Sequence, residues 1–211
     1  MLTVHHLGIS QSDRIVWLCE ELGVPYELVH YDRDPKTRMA PPEYRALHPF
    51  GTAPVITDGD LSLGESTAIV DYIVATYGQG RLTKRAGDSA FPEFLYWHHF
   101  ANGSMMPAIG TELVVARTAH DPASAAWATT RSVRAWAMVE QRLGEAKWFA
   151  GEDFTTADIM MVFPLTTMRA FAPKDLAPFP NIRAYLARLG TRPAYCAAMA
   201  KADPGVQLRL D

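Results

Sequence analysis

A chain of 211 residues has room for one large domain or two small ones, at about 150 residues per domain. Hydrophobic residues make up 48% and charged residues 20%, which is globular usage and excludes a disordered, collagen-like or acidic-tail protein. Twenty basic residues against 23 acidic ones leave a net charge of −3, so nothing in the balance asks for nucleic acid or an anionic membrane.

The first 80 or so residues alternate strand-like and helix-like segments. Leu2 to His6 reads as a short strand that ends in a turn at Leu7-Gly8. Ile15, Leu18, Cys19 and Leu22 then fall on one face of a helix, which Gly23 and Pro25 should close. Tyr26 to Tyr31 reads as a second strand, and 35–47 as irregular or helical. Asp58-Gly59 is a hairpin signal, so Pro54 to Thr57 should pair antiparallel with Leu61 to Leu63. A helix follows from about Glu65 to Tyr77, ending at Gly78.

After Gly78 the character changes. Residues 79–90 are polar and read as a linker. Helical segments follow: roughly Pro92 to Ala119 with a kink at Pro107, Pro122 to Leu143, Thr156 to Phe171, Ile182 to Leu189 and Pro193 to Ala200. No apolar stretch approaches the ~20 residues that span a membrane, and the N-terminus lacks the pattern of a signal peptide. The two cysteines, Cys19 and Cys196, are too few for a disulfide framework and lack metal-ligand spacing. His5-His6 and His98-His99 are adjacent pairs that do not share a site easily on a strand or a helix, so no metal is expected. A cytoplasmic location is the default.

Two places offer chemistry. The loop Leu7-Gly8-Ile9-Ser10-Gln11-Ser12-Asp13-Arg14 joins the first strand to the first helix. Ligands gather at the C-terminal ends of strands in open α/β folds, and helix N-termini there favour anions. Ser10 or Ser12 can supply a hydroxyl; either can also serve as a helix N-cap. The second place is His48-Pro49-Phe50-Gly51-Thr52-Ala53-Pro54-Val55 together with Glu65-Ser66-Thr67-Ala68-Ile69. A cis bond before Pro54 would turn the Ala53 backbone toward a ligand. Taken locally, Ser66 reads as a helix cap and Glu65 as a favourable acid beside it.

Together these segments resemble the cytosolic glutathione transferases. Ser-x-x-x-Arg follows the first strand, Pro-x-Gly-x-x-Pro-Val precedes a hairpin, and Glu-Ser-x-Ala-Ile stands eleven residues after Pro54. Phe154-Thr155-Thr156-Ala157-Asp158 is similar to the family's capping box, with Thr155 capping and Asp158 returning the bond. Phe179-Pro180-Asn181-Ile182 and Arg192-Pro193 resemble its C-terminal region. Tyr31-Asp32-Arg33-Asp34, Ala40-Pro41-Pro42-Glu43 and His48-Pro49 look most like the serine-type, theta/phi-related Gtt-like members of fungi and bacteria.

The resemblance implies an α/β plus all-α fold. Residues 1–78 would form a thioredoxin-like glutathione-binding domain, 79–90 a linker, and 91–211 an all-helical domain contributing the electrophile site. It places the catalytic hydroxyl at Ser10, with Ser12 as runner-up, donating a hydrogen bond to the glutathione sulfur. Ala53, before Pro54, would pair its backbone with the cysteinyl part of glutathione. Glu65 and Ser66 would hold the γ-glutamyl end. Thr52 and Pro54 belong to the same glutathione-binding set, with Thr52 standing where relatives often have glutamine. Lys36, Arg38 and His48 are candidates for the glycyl carboxylate, and Met106 for the electrophile pocket. Glutathione is then a co-substrate and no cofactor is implied. The expected activity is addition of the thiolate to small hydrophobic electrophiles, with reduction of organic hydroperoxides beside it, in a homodimer. The alternative is a catalytically weak transferase-like binding or regulatory protein, since fold does not fix function. Retention of Ser10, Pro54, Glu65 and Ser66 together favours the enzyme.

Overall fold

Strand β1 (Leu2–Leu7) is the hub of a four-stranded sheet. Helix α1 (Asp13–Leu22) carries the chain over to β2 (Glu27–Tyr31), which pairs parallel to β1. A one-turn helix, α2 (Pro42–Arg45), precedes β3 (Val55–Asp58) and β4 (Leu61–Gly64). The Asp58-Gly59 turn joins these two as an antiparallel hairpin, with Gly59 at φ 57°, a conformation that glycine adopts without steric cost. The order across the sheet is β2-β1-β3-β4, followed in the chain by α3 (Ser66–Thr76). The computed structural model describes residues 1–118 and 122–211.

Residues 15–19 of α1 are all fully buried, not only the stripe that periodicity assigns to the core. The reason is a partner from the other end of the chain. Helix α9 (Pro193–Ala202) packs along α1, with the Trp17 and Tyr195 rings edge to face at 4.9 Å. Arg192 grips Glu21 through two charge-assisted bonds of 2.8 and 2.7 Å, and Lys201 reaches Glu20 at 2.7 Å. Residues 189–209 therefore form one compact unit with 1–83. This differs from the expectation that all of 91–211 belongs to the helical domain. The apolar face of α9 shows that it packs, not on what.

Residues 84–188, with 210 and 211, form the second unit. It contains α4 (Phe91–Phe100), α5 (Met106–Thr118), α6 (Pro122–Glu145), α7 (Thr156–Leu165) and most of α8 (Pro180–Leu189). All ten residues of α7 are buried. Its capping box forms: the Ala157 amide donates to Thr155 Oγ1 at 3.3 Å, and Asp158 accepts from the Thr155 amide at 2.9 Å and the Phe149 amide at 3.1 Å. Two boundaries differ from expectation. Instead of a kink at Pro107, a wide π-helical turn at Ala101–Met105 separates α4 from α5. Proline has no N–H to continue the regular ladder, and the Met106 N–H bonds back to Ala101 over five residues. The helix expected to run to Phe171 stops at Leu165, just after Pro164, and gives way to a 3₁₀ turn at Thr167–Ala170. Ala119 lies outside the described residues.

Candidate functional site

The register of the sheet brings both chemical segments to one end of the strands. His5 of β1 faces Val55 of β3, and Val55 faces Gly64 of β4. Ala53 and Pro54 therefore stand where β1 ends and the Ser10 loop begins, and Glu65 follows directly after β4. Ala53 packs against the small core of Leu7, Tyr44 and Val55. The Ala53-Pro54 bond is cis. Pro54 itself is buried and precedes the strand, while Thr52 is exposed.

The loop after β1 is held in an unusual conformation. Ile9 has φ 50°, rare for a β-branched residue. The contacts that hold it come from two other segments. The Ile9 amide donates to Asp203 Oδ1 at 3.0 Å, and Arg33 donates to the Gly8 carbonyl at 2.8 Å and the Ile9 carbonyl at 3.3 Å. Ser10 follows, 4% exposed. Its hydroxyl lies 2.7 Å from Ser12 Oγ and accepts from the Ser12 amide at 3.3 Å. Ser12 occupies the N-cap position of α1, but its hydroxyl makes no cap bond. It accepts from the Leu7 amide at 3.2 Å and lies 2.9 Å from His6 Nδ1. On its other side, His6 Nε2 is 3.3 Å from Asp203 Oδ1. Capping, open to either serine from the sequence, is the work of neither side chain.

At the start of α3, Glu65 is the N-cap residue with φ 70°, and Ser66 is the first helical residue, buried and without a cap bond. This corrects the local reading of Ser66 as the cap. Ser66 Oγ instead lies 3.5 Å from Gln11 Oε1, which also accepts from Arg14 Nη1 at 2.7 Å. Gln11 so links the two helix N-termini. Burial pulls the fully buried Arg14 guanidinium down to about 10, against the nearby charges of Asp13 and Glu65; it stays a cation at neutral pH. Glu65 is exposed beside it. An exposed carboxylate, a buried hydroxyl and the free amides of α3 together suit the ammonium and carboxylate of an amino-acid end.

The three basic candidates sit in different places. His48 covers Gly64, where an added Cβ would meet its ring at 3.1–3.3 Å. Lys36 and Arg38 belong to an exposed loop closed by Asp34 and Met39; Arg38 lines a cleft of about 400 Å³ with Arg33, His30 and Asp203. Met106, in the second unit, is half-buried at the start of α5, directly after the π-helical turn. Among the described residues, no group of three or more His, Cys, Asp or Glu side chains is placed to hold a metal ion, and no helix is long and apolar enough to cross a membrane.

Two family models match this chain: the N-terminal domain of glutathione S-transferase over residues 5–81, and the C-terminal domain over 104–193. Glutathione S-transferase 3 of Schizosaccharomyces pombe is 30% identical across 96% of this chain and 88% of its own length. The chain belongs to the glutathione S-transferase family. A glutathione S-transferase crystal structure from Actinobacillus pleuropneumoniae superimposes with a TM-score of 0.90 at 36% identity, covering 97% of this chain and 95% of that one. Glutathione S-transferase GstB of Escherichia coli is 29% identical over 86% of this chain and 88% of its own length. The thioredoxin-like and helical parts of the transferase fold are those described above. Sequence reasoning missed Gln11 and Asp203 in this transferase and weighed His6 only as a metal ligand. No local pattern marks them, because their partners are set by the β1 loop and by α9.

Proposed function

We propose that this glutathione S-transferase binds reduced glutathione at the end of the sheet formed by Ala53, Pro54, Glu65 and Ser66, and that Ser10 activates its sulfur. One observation carries the reading: the serine loop and the Glu65-Ser66 turn, 55 residues apart at their Gln11–Ser66 contact, open on the same end of the sheet. The Ala53 backbone, beside the end of β1, offers strand-like pairing to the cysteinyl part.

The energetics suffice. A free thiol near pKa ~8.5 is only a few per cent ionised at pH 7. Lowering it by about 2 units takes roughly 2.7 kcal/mol. A hydrogen bond to a charged acceptor supplies about 1.5–3 kcal/mol, and a helix N-terminus about 0.3–1 more. One hydroxyl at the start of α1 meets that need. The thiolate then adds to small hydrophobic electrophiles; the same thiolate attacking a peroxide oxygen gives the hydroperoxide reduction that we include in the proposal. Met106 is our choice for the electrophile side, because a thioether adapts to varied apolar ligands. We assign the protein to the cytoplasm as a homodimer.

The test is a kinetic split. Ser10→Ala should lower turnover of an aryl halide at least tenfold, about 1.4 kcal/mol, and leave glutathione affinity nearly unchanged. A silent Ser10→Ala beside an impaired Ser12→Ala moves the assignment by two residues and refutes it.

A further inference from the structure

Ser12 Oγ has one proton and two lone pairs to use. It is fully buried, and the Leu7 amide takes one lone pair at 3.2 Å. The Leu7 carbonyl, at 3.5 Å, is at the limit of a bond. Ser10 Oγ at 2.7 Å and His6 Nδ1 at 2.9 Å share what is left. Ser12 therefore donates to one and accepts from the other, which gives the chain two directions. In the first, His6 is neutral with its proton on Nε2, which lies 3.3 Å from Asp203 Oδ1, an ion-pair contact and not an aligned hydrogen bond. Ser12 donates to His6, Ser10 donates to Ser12, and Ser10 has a lone pair to offer an S–H. In the second, both ring nitrogens carry protons. His6 donates to Ser12, Ser12 to Ser10, and the Ser10 proton is free to meet a thiolate. The two states differ by one proton.

We propose that Ser10, Ser12, His6 and Asp203 form a proton relay that carries the thiol proton of bound glutathione to His6, with Asp203 holding the resulting imidazolium. This rests on Ser10 facing the sulfur. The S–H bond breaks as its proton passes to Ser10 Oγ, the Ser10 proton passes to Ser12, and the Ser12 proton passes to His6 Nδ1. No oxidant or reductant is involved. The proton returns to water by the same bonds after the sulfur is alkylated and the conjugate leaves. Ser10 touches the substrate; Ser12, His6 and Asp203 act through it.

Each end of the relay is built in. His6 is fully buried. Asp203 follows directly on α9, which Arg192 and Lys201 clamp to α1. The groups facing His6 are Ser12 from the loop, the His30 ring of β2 edge-on at 5.6 Å, and Asp203; the Arg33 guanidinium binds the same loop through Gly8 and Ile9. Burial alone would raise the Asp203 carboxyl, but the adjacent His6 ring and the Ile9 amide outweigh it and hold it below its ordinary value.

The experiment is a pH titration of thiolate absorbance in the complex with reduced glutathione, for wild type, Ser10→Ala, His6→Asn and Asp203→Asn, with glutathione affinity measured alongside. His6→Asn keeps an N–H donor near the Nδ1 position but no basic nitrogen; Asp203→Asn keeps the acceptor for Ile9 and removes the charge. The relay predicts that both raise the ionisation midpoint by about one unit or more, cutting the thiolate fraction below the midpoint about tenfold, with glutathione affinity unchanged at pH values below the wild-type midpoint. Unchanged midpoints in both variants, or a shift in only one, overturn the relay while a raised midpoint in Ser10→Ala leaves the serine assignment standing. An unchanged midpoint in Ser10→Ala overturns both. Should His6→Asn fail to fold, the near-isosteric Asp203→Asn decides alone.

Discussion

Replacing Asp158 with alanine tests the anchor of the helical unit. Its carboxylate is fully buried and accepts from the amides of Thr155 and Phe149, with the Tyr185 hydroxyl at 3.4 Å. Alanine leaves both amides without this acceptor. An unsatisfied buried donor costs about 1–3 kcal/mol, so the two together cost about 2–6 kcal/mol. At roughly 2–4 °C per kcal/mol for a chain of this size, the melting temperature should fall by about 4–24 °C. Asp158→Asn keeps one acceptor oxygen and should cost about half as much. The difference should also depend on pH. Burial pushes the Asp158 carboxyl up to about 7, against its hydrogen bonds, so its folded pKa lies above the unfolded one. Its contribution is complete below the unfolded value near 3.9 and is lost as pH rises through about 7. The gap between wild type and Asp158→Ala should therefore be wider at pH 5 than at pH 8 in urea or thermal unfolding. A melting temperature within about 2 °C of wild type at pH 5, under 1 kcal/mol, would refute the reasoning.

Other outcomes follow from the same structure. Glu65→Ala or Ser66→Ala should weaken glutathione binding by about 1–3 kcal/mol for a lost charge-assisted contact with little change in kcat; unchanged affinity in both variants would place the γ-glutamyl end elsewhere. Sedimentation at micromolar concentration should give a mass near twice 23.4 kDa. Tyr96, 48% exposed, and Met138, 40% exposed, line one cleft of the helical unit with Trp97 and are apolar surface that a second copy would cover; a mass of one chain would contradict the dimer.

Local chemistry made much of the fold legible. The Ile15, Leu18, Cys19 and Leu22 stripe with Gly23 marked α1, and Gly23 caps it at φ 63°. Asp58-Gly59 marked the hairpin, and Thr155 with Asp158 marked the start of α7. Pro107 announced a break but not its form, because a π-helical turn depends on how the neighbouring helices pack. The partner of α9 was illegible for the same reason: Glu20 and Glu21 meet Lys201 and Arg192 across about 180 residues of chain. At the candidate site, Ser10, Glu65 and Ser66 stand out in the sequence as motifs. The reason the serine hydroxyls do not cap α1 is not legible there, since it lies in the Leu7 amide and the His6 ring, which only the folded loop brings to Ser12.

Isothermal titration of the wild-type protein with reduced glutathione tests the central claim most directly. A site built from the end of β1, the Ala53 backbone and the start of α3 predicts saturable binding of one glutathione per chain with Kd below about 1 mM, or more than about 4 kcal/mol of affinity. The absence of any binding heat at millimolar glutathione, over a range of temperatures, would contradict it.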